Sequence, residues 1–278
     1  MGGCGNIGAA LQPETRMRFL IYLGYLVAAL VLLVVAYVFV LSGSFHTPVN
    51  VATLAPYQSP GGPILVFGGT RATGLEIVRQ LRERGETVVV AARASSDTRE
   101  LAQLGVRIVP ANALNAAEVN DAVASDQFAA VISTLGTTRG DQANRPDFDG
   151  NRNVFEAAKR NGVRRVVFIT VIGAGDSLEA APLPARRALK EVIALKTRAE
   201  DHLKASGLDY TIIRPGGLSD RGATGQAYLA ADPQAFSYIS RKDLAALSVA
   251  ALGDPSTIGK TYAAYDPTRK TLWKMFND

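Results

Sequence analysis

The chain has 278 residues, 47% hydrophobic and 20% charged, with 30 Lys and Arg against 25 Asp and Glu for a formal net charge of +5. That length and apolar content suffice for one substantial core with residues to spare. Cys4 is the single cysteine, which excludes an intramolecular disulfide and a cysteine metal cluster. The basic residues are scattered along amphipathic stretches without interleaved aromatics, so no nucleic-acid partner is expected.

Residues 1–18 are Gly-rich at their start and read as a disordered N-terminus, with Met17 an alternative start just before the apolar run. Phe19 to Leu41 carries no charge and is dense in Leu, Val and Ala. As a helix it would be about 35 Å long, enough to cross a hydrocarbon core of about 30 Å with some tilt. A signal peptide has a shorter apolar region, and only a weak small-residue site, Ser42-Gly43-Ser44, follows. Residues 19–41 are therefore expected to be an uncleaved single-pass transmembrane helix, with the lipid bilayer as its partner. Residues 42–62 hold Pro48, Pro56 and Pro60 and no Lys, Arg, Asp or Glu, the composition of a neutral linker.

From Pro63 onward, short apolar runs alternate with helical periodicity, the signature of βαβ units. Strands are predicted at 63–68, 87–92, 106–109, 129–134, 165–171 and 210–214, and helices near 74–84, 97–104, 115–124, 150–161, 186–206 and 241–252. Gly85, Gly105, Gly162 and Gly207 each follow a helical stretch and precede a strand, as helix stops do. The expected fold is α/β, a Rossmann-type doubly wound parallel sheet over residues 63–266, with a C-terminal tail at 267–278.

The run Ile64-Leu65-Val66-Phe67-Gly68-Gly69-Thr70-Arg71-Ala72-Thr73-Gly74 leads from a buried strand through a small-residue turn into an amphipathic helix. Small residues there let backbone N–H groups approach a pyrophosphate, and the helix N-terminus adds partial positive charge. The spacing follows G-x-x-x-G-x-G with Ala72 at the middle position. After the second strand, where NAD-preferring folds place an acidic residue, stands Arg93. Together with Arg71 it would suit a ribose 2′-phosphate, which guanidinium groups bind in a forked manner, so NADP(H) is the expected cofactor. Asn112 follows the third strand and can meet the adenine edge. Leu135, Gly136 and Thr137 follow the fourth, where small backbone would line the nicotinamide ribose.

These motifs, with Asn151-Arg152-Asn153, Gly162-Val163-Arg164-Arg165-Val166-Val167, Ser206 to Gly216 and Ile239-Ser240-Arg241-Lys242-Asp243-Leu244, resemble an atypical short-chain dehydrogenase/reductase of the NAD(P)H-binding, NmrA-like type. The likeness covers about residues 63–266 and is nearest to the NADPH flavin reductase/biliverdin-IXβ reductase branch. It implies an NADPH site built from Gly68, Thr70, Arg71, Thr73, Gly74, Arg93, Asn112, Leu135, Gly136 and Pro215.

The chain departs from that pattern where proton donors are expected. Lys196 falls in the helix of the Tyr-x-x-x-Lys pair, but Val192 stands four residues before it. Val171 and Gly217 replace a Ser and a His of the branch, leaving Thr170 and Lys196 as candidate catalytic groups. Lys196 is expected on the helix surface unless it contacts the ribose. His46 and His202 have no metal-ligand partner at useful spacing, so no metal site is expected. The resemblance implies an NADPH-dependent reductase passing hydride to a small planar acceptor such as a flavin or quinone, or else a non-catalytic NADPH-binding sensor or assembly factor with a protein partner at a membrane. Arg16 and Arg18 before the apolar run bias the N-terminus to the cytoplasm, whereas a cytosolic cofactor argues for a cytoplasmic domain, the placement adopted here.

Overall fold

The computed structural model describes residues 13–42, 46–136 and 145–271, in two units divided at Leu41. The first is the helix α1 (Pro13–Ser42), which starts at Pro13 and not at Phe19. Proline suits a first helical position, since its missing N–H would have no intrahelical partner there. Within α1, Glu14–Tyr37 has a mean hydropathy of 2.7 and no buried residue, long and apolar enough to cross a membrane.

The second unit is a Rossmann-like sheet with helices on both faces. All six predicted strands form: β1 (Ile64–Phe67), β2 (Val88–Ala92), β3 (Arg107–Pro110), β4 (Ala130–Ser133), β5 (Arg165–Ile169) and β6 (Asp209–Pro215). They are parallel, in the order β3-β2-β1-β4-β5-β6. β1 and β4 are neighbours with Phe67 opposite Ser133, so the chain reverses its winding between them and opens a crevice at their carboxyl ends.

Alternation along the strands sorts side chains into two cores. Ile64, Val66, Val88 and Ile132 face α2 (Ala72–Glu83) and α8 (Arg241–Leu252). Leu65, Phe67, Val131 and Phe168 face α4 (Ala116–Ala124), α5 (Asp149–Arg160) and α7 (Lys190–Ala205). Strands covered on both faces must be apolar throughout, and β1, β2, β4 and β5 are buried at every position. The helix-stop glycines Gly85, Gly105, Gly162 and Gly207 all take positive φ.

The predicted helix at 97–104 shortens to α3 (Arg99–Gln103), and the one at 186–206 breaks at Leu189 into α6 (Leu183–Ala188) and α7. Four short strands went unpredicted: β7 (Gly217–Ser219), β8 (Tyr228–Ala230), β9 (Tyr238–Ser240) and β10 (Lys260–Tyr265). β10 extends the sheet beside β6, β8 closes it antiparallel, and β7 pairs with β9.

Two boundaries shift. Residues 46–62, expected as a linker, form a strap stitched to the domain: Ala52 N–H donates to Leu229 O at 2.8 Å, and Ala231 N–H to Asn50 O at 3.0 Å. Val49 N–H and the His46 ring meet Asp232, Ala55 N–H meets Asp254, and Tyr57 and Ser59 hydroxyls donate to Glu86. Beyond residue 266, Arg269 is buried and its carbonyl accepts from Tyr238 N–H at 2.8 Å, so the tail belongs to the fold as far as it is described.

Candidate functional site

A cleft of about 1040 Å³ opens along the carboxyl ends of the parallel strands. It is lined by Gly68, Thr70, Arg71, Thr73, Gly74, Arg93, Asn112, Leu135, Gly136, Thr170, Lys196 and Pro215, so segments far apart in the chain meet at one site. Thr137 lies outside the described residues.

The turn after β1 is held by Thr134, whose hydroxyl donates to Gly68 O at 3.1 Å. A Cβ on Gly68 would strike that hydroxyl, and one on Gly74 would overlap Gly68 O. Both positions exclude side chains, which leaves backbone facing the cleft at the start of α2. Ala72, at the motif's middle position, opens α2 with φ +50°, a conformation in which Gly carries no penalty. A bare cradle at a helix N-terminus fits the pyrophosphate of a dinucleotide.

Arg71, the residue before α2, and Arg93, after β2, are exposed, and Ser95 and Ser96 line the same cleft. The two serines follow Arg93 almost directly in the sequence, the one local signal that they belong to the site. Asn112 does not present its whole amide: Oδ1 accepts from Leu114 N–H at 3.1 Å, and Asn112 N–H donates to Glu118, another lining residue.

Lys196 is not a surface residue, as a helix-face reading had it. It is 4% exposed, because α7 presents it inward beneath the loop after β4. Its Nζ donates to Leu135 O, lies 4.0 Å from the buried Asp147 carboxylate, and sits 4.8 Å from the Phe168 ring centroid. Burial pushes the ammonium down to about 8, partly offset by Asp147 and Glu200. Asn151 braces the same loop, accepting from Ser133 Oγ at 2.6 Å and donating to Asp147 O at 2.9 Å. Thr170 faces the cleft, but its hydroxyl is committed to Glu200 Oε1 at 2.7 Å.

Val171 and Val192 line the cleft beside Leu189 and Leu218, so this end is aliphatic. At Gly217, the place of the missing His, a side chain would run into the Tyr238 ring. Arg241, the first residue of α8, also lines the cleft; in the sequence it stands in the motif of residues 239–244 without any mark of a site residue.

A family model described as NAD(P)H-binding matches residues 68–255, which span the strands, the turn and the cleft described above. The chain belongs to this NAD(P)H-binding family. The assignment agrees with the atypical short-chain dehydrogenase/reductase motifs of residues 63–266. The chain is similar to ChuY, an anaerobillin reductase from Escherichia coli O157:H7, with 29% identity and a TM-score of 0.67 over 74% of this chain and 97% of that one. It is 29% identical to the uncharacterized sugar epimerase YhfK of Bacillus subtilis over 72% of this chain and 92% of that protein. It is 26% identical to the photosystem II assembly factor Ycf39 of Synechocystis sp. over 72% of its own length, but spans only 61% of that relative.

Proposed function

We propose that the chain is a membrane-anchored, NADPH-dependent reductase that passes hydride to a planar acceptor such as a flavin or a quinone. The observation that carries this reading is one cleft that holds the bare glycine cradle, the Arg71 and Arg93 guanidiniums, the buried Lys196 and an aliphatic end. When bound, NADPH supplies the hydride. The start of α2 holds the pyrophosphate through backbone N–H groups and partial positive charge. Arg71 and Arg93, with Ser95 and Ser96 beside them, take the ribose phosphate and favour NADPH over NADH. Lys196 Nζ fixes the Leu135 carbonyl at the nicotinamide end, and with its pKa held near 8 it can release a proton close to neutral pH. Val171 and Val192 exclude water and orient a flat acceptor. Similarity to ChuY supports a reductase, and the length and hydropathy of α1 support the anchor. A cytosolic cofactor supports a cytoplasmic domain.

A second reading, a non-catalytic NADPH-binding sensor or assembly factor at a membrane, is favoured by valines at the two positions where hydroxyl donors are expected. Similarity to Ycf39, named as an assembly factor, points the same way.

Oxidation of NADPH by the full-length chain with FMN, FAD and quinones separates the two. Tight NADPH binding without turnover on any acceptor leaves only the second. Arg93→Asp is expected to weaken NADPH binding far more than NADH binding, and equal losses would refute the 2′-phosphate assignment. A reporter fused to the C-terminus reads out the side of the membrane.

A further inference from the structure

We propose that Arg241 determines acceptor specificity, selecting planar acceptors that carry an acidic group, a phosphate or a carboxylate. The inference rests on the reductase reading and adds the acceptor's charge to it.

The acceptor end of the cleft has aliphatic walls, Val171, Leu189, Val192 and Leu218, which suit the face of a ring system but read no polar feature of it. Arg241 is the exception. The pairing of β7 with β9 sets Leu218 opposite Ile239 and Ser219 opposite Ser240, so α8 begins beside the strand that carries Leu218. Ser240 caps that helix, its Oγ accepting from Asp243 N–H at 2.9 Å, and this fixes the backbone from which Arg241 departs.

The surroundings of the guanidinium point to an acidic ligand. Nε lies 2.9 Å from Asp220 Oδ1, but that carboxylate is largely in solvent, 85% exposed against 24% for Arg241. A solvent-exposed partner satisfies a cation only weakly. Nη1 is buried and has no hydrogen-bond partner among the described residues. A buried charged N–H without an acceptor is a costly arrangement, and a turn of the side chain that brings its fork to an acidic oxygen in the cleft would relieve it. Guanidinium geometry favours oxyanions in particular, because two N–H groups can meet two oxygens at once.

The cofactor phosphates have other partners at the start of α2 and at Arg71 and Arg93. The buried cation of the cleft, Lys196, is committed to Leu135 O and to Asp147. Arg241 is thus the cation that remains for the acceptor.

FMN and riboflavin share one ring system and differ by a terminal phosphate, so the test is their binding to the NADP⁺-loaded full-length chain, followed by quenching of flavin fluorescence. FMN is expected to bind roughly 10- to 100-fold more tightly than riboflavin, the range of a charged hydrogen bond. Arg241→Gln should abolish that preference and leave riboflavin affinity unchanged, which also shows that the variant is folded. Arg241→Lys should keep part of it. Equal affinities in the unaltered protein, binding of neither flavin, or a preference that survives Arg241→Gln would overturn the proposal. So would a loss of NADP⁺ affinity in Arg241→Gln with the flavin preference intact, since Arg241 would then serve the cofactor. A preference for FMN without any NADPH turnover would sink the reductase reading while leaving the assignment of Arg241 as an acid-reading group.

Discussion

Arg214 on β6 grips Glu200 on α7 with two prongs, Nη2 to Oε2 at 2.6 Å and Nε to Oε1 at 3.1 Å, across the strand–helix interface. The two side chains are 3% and 0% exposed. The same carboxylate accepts from Thr170, and Pro215 follows Arg214 directly, so the pair holds two strand ends where they reach the cleft.

Removing Glu200 leaves the buried Arg214 guanidinium with only the exposed Asp176 carboxylate as its charged partner. Glu200→Leu is expected to cost roughly 3–5 kcal/mol of stability in urea denaturation. Adding Arg214→Met should recover much of that loss, because no buried charge is then left with a solvent-exposed partner only. Additive losses in the double variant would show that the two side chains do not act as a unit.

Lys196 should imprint a pH dependence on stability. Its folded pKa of about 8 lies below the free lysine value of 10.5 because burial disfavours the ammonium. Between those values the folded protein holds one proton fewer than the unfolded chain, so this group makes stability rise with pH across the window, by roughly 3 kcal/mol in total. Below about pH 8 both states are protonated and the burial penalty is present in full. The stability difference between the unaltered protein and Lys196→Met, followed from about pH 7 to 10, should therefore grow in favour of the former. A flat difference over that range refutes the buried ammonium.

Ala72 carries the strain of a motif built for glycine. Its φ of +50° costs an L-residue about 1–2 kcal/mol, against a chain-entropy loss of about 0.5–1 kcal/mol for glycine. Ala72→Gly is expected to stabilise the domain by roughly 0.5–1 kcal/mol and to raise Tm by about 1–4 °C. A Tm that stays put or falls counts against strain at this turn.

The strap should be indispensable to the domain. A chain cut at Pro63 loses the donors that Tyr57 and Ser59 give to Glu86, Val49 and His46 to Asp232, and Ala55 to Asp254, all buried carboxylates. At about 1–3 kcal/mol per buried group left short of a partner, stability should drop by roughly 3–6 kcal/mol relative to a chain that starts at His46. Coincident urea curves for the two would mean that the strap merely lies on the surface.

The alternation of apolar runs with helical periodicity, the turn from Gly68 to Gly74, Arg93 after the second strand and Pro215 at the end of the sixth are all legible in the sequence. Each is local: the pattern of neighbouring residues dictates strand, turn or helix, and the rule that α/β sheets bind ligands at strand carboxyl ends places the site. What the sequence concealed depends on residues far apart in the chain. Lys196 reads as a solvated lysine on an amphipathic helix until Leu135, Asp147 and Phe168 close over it. Residues 46–62 read as a linker because their polar partners, Glu86, Asp232 and Asp254, lie elsewhere in the chain. Strands β7 to β9 are three residues long, too short for period-two alternation to register. Arg241 becomes a cleft residue only through the pairing of β7 with β9. Backbone conformation is largely a local decision and is written in local pattern, whereas burial and charge pairing are set by which distant segments meet, and these the tertiary structure alone decides.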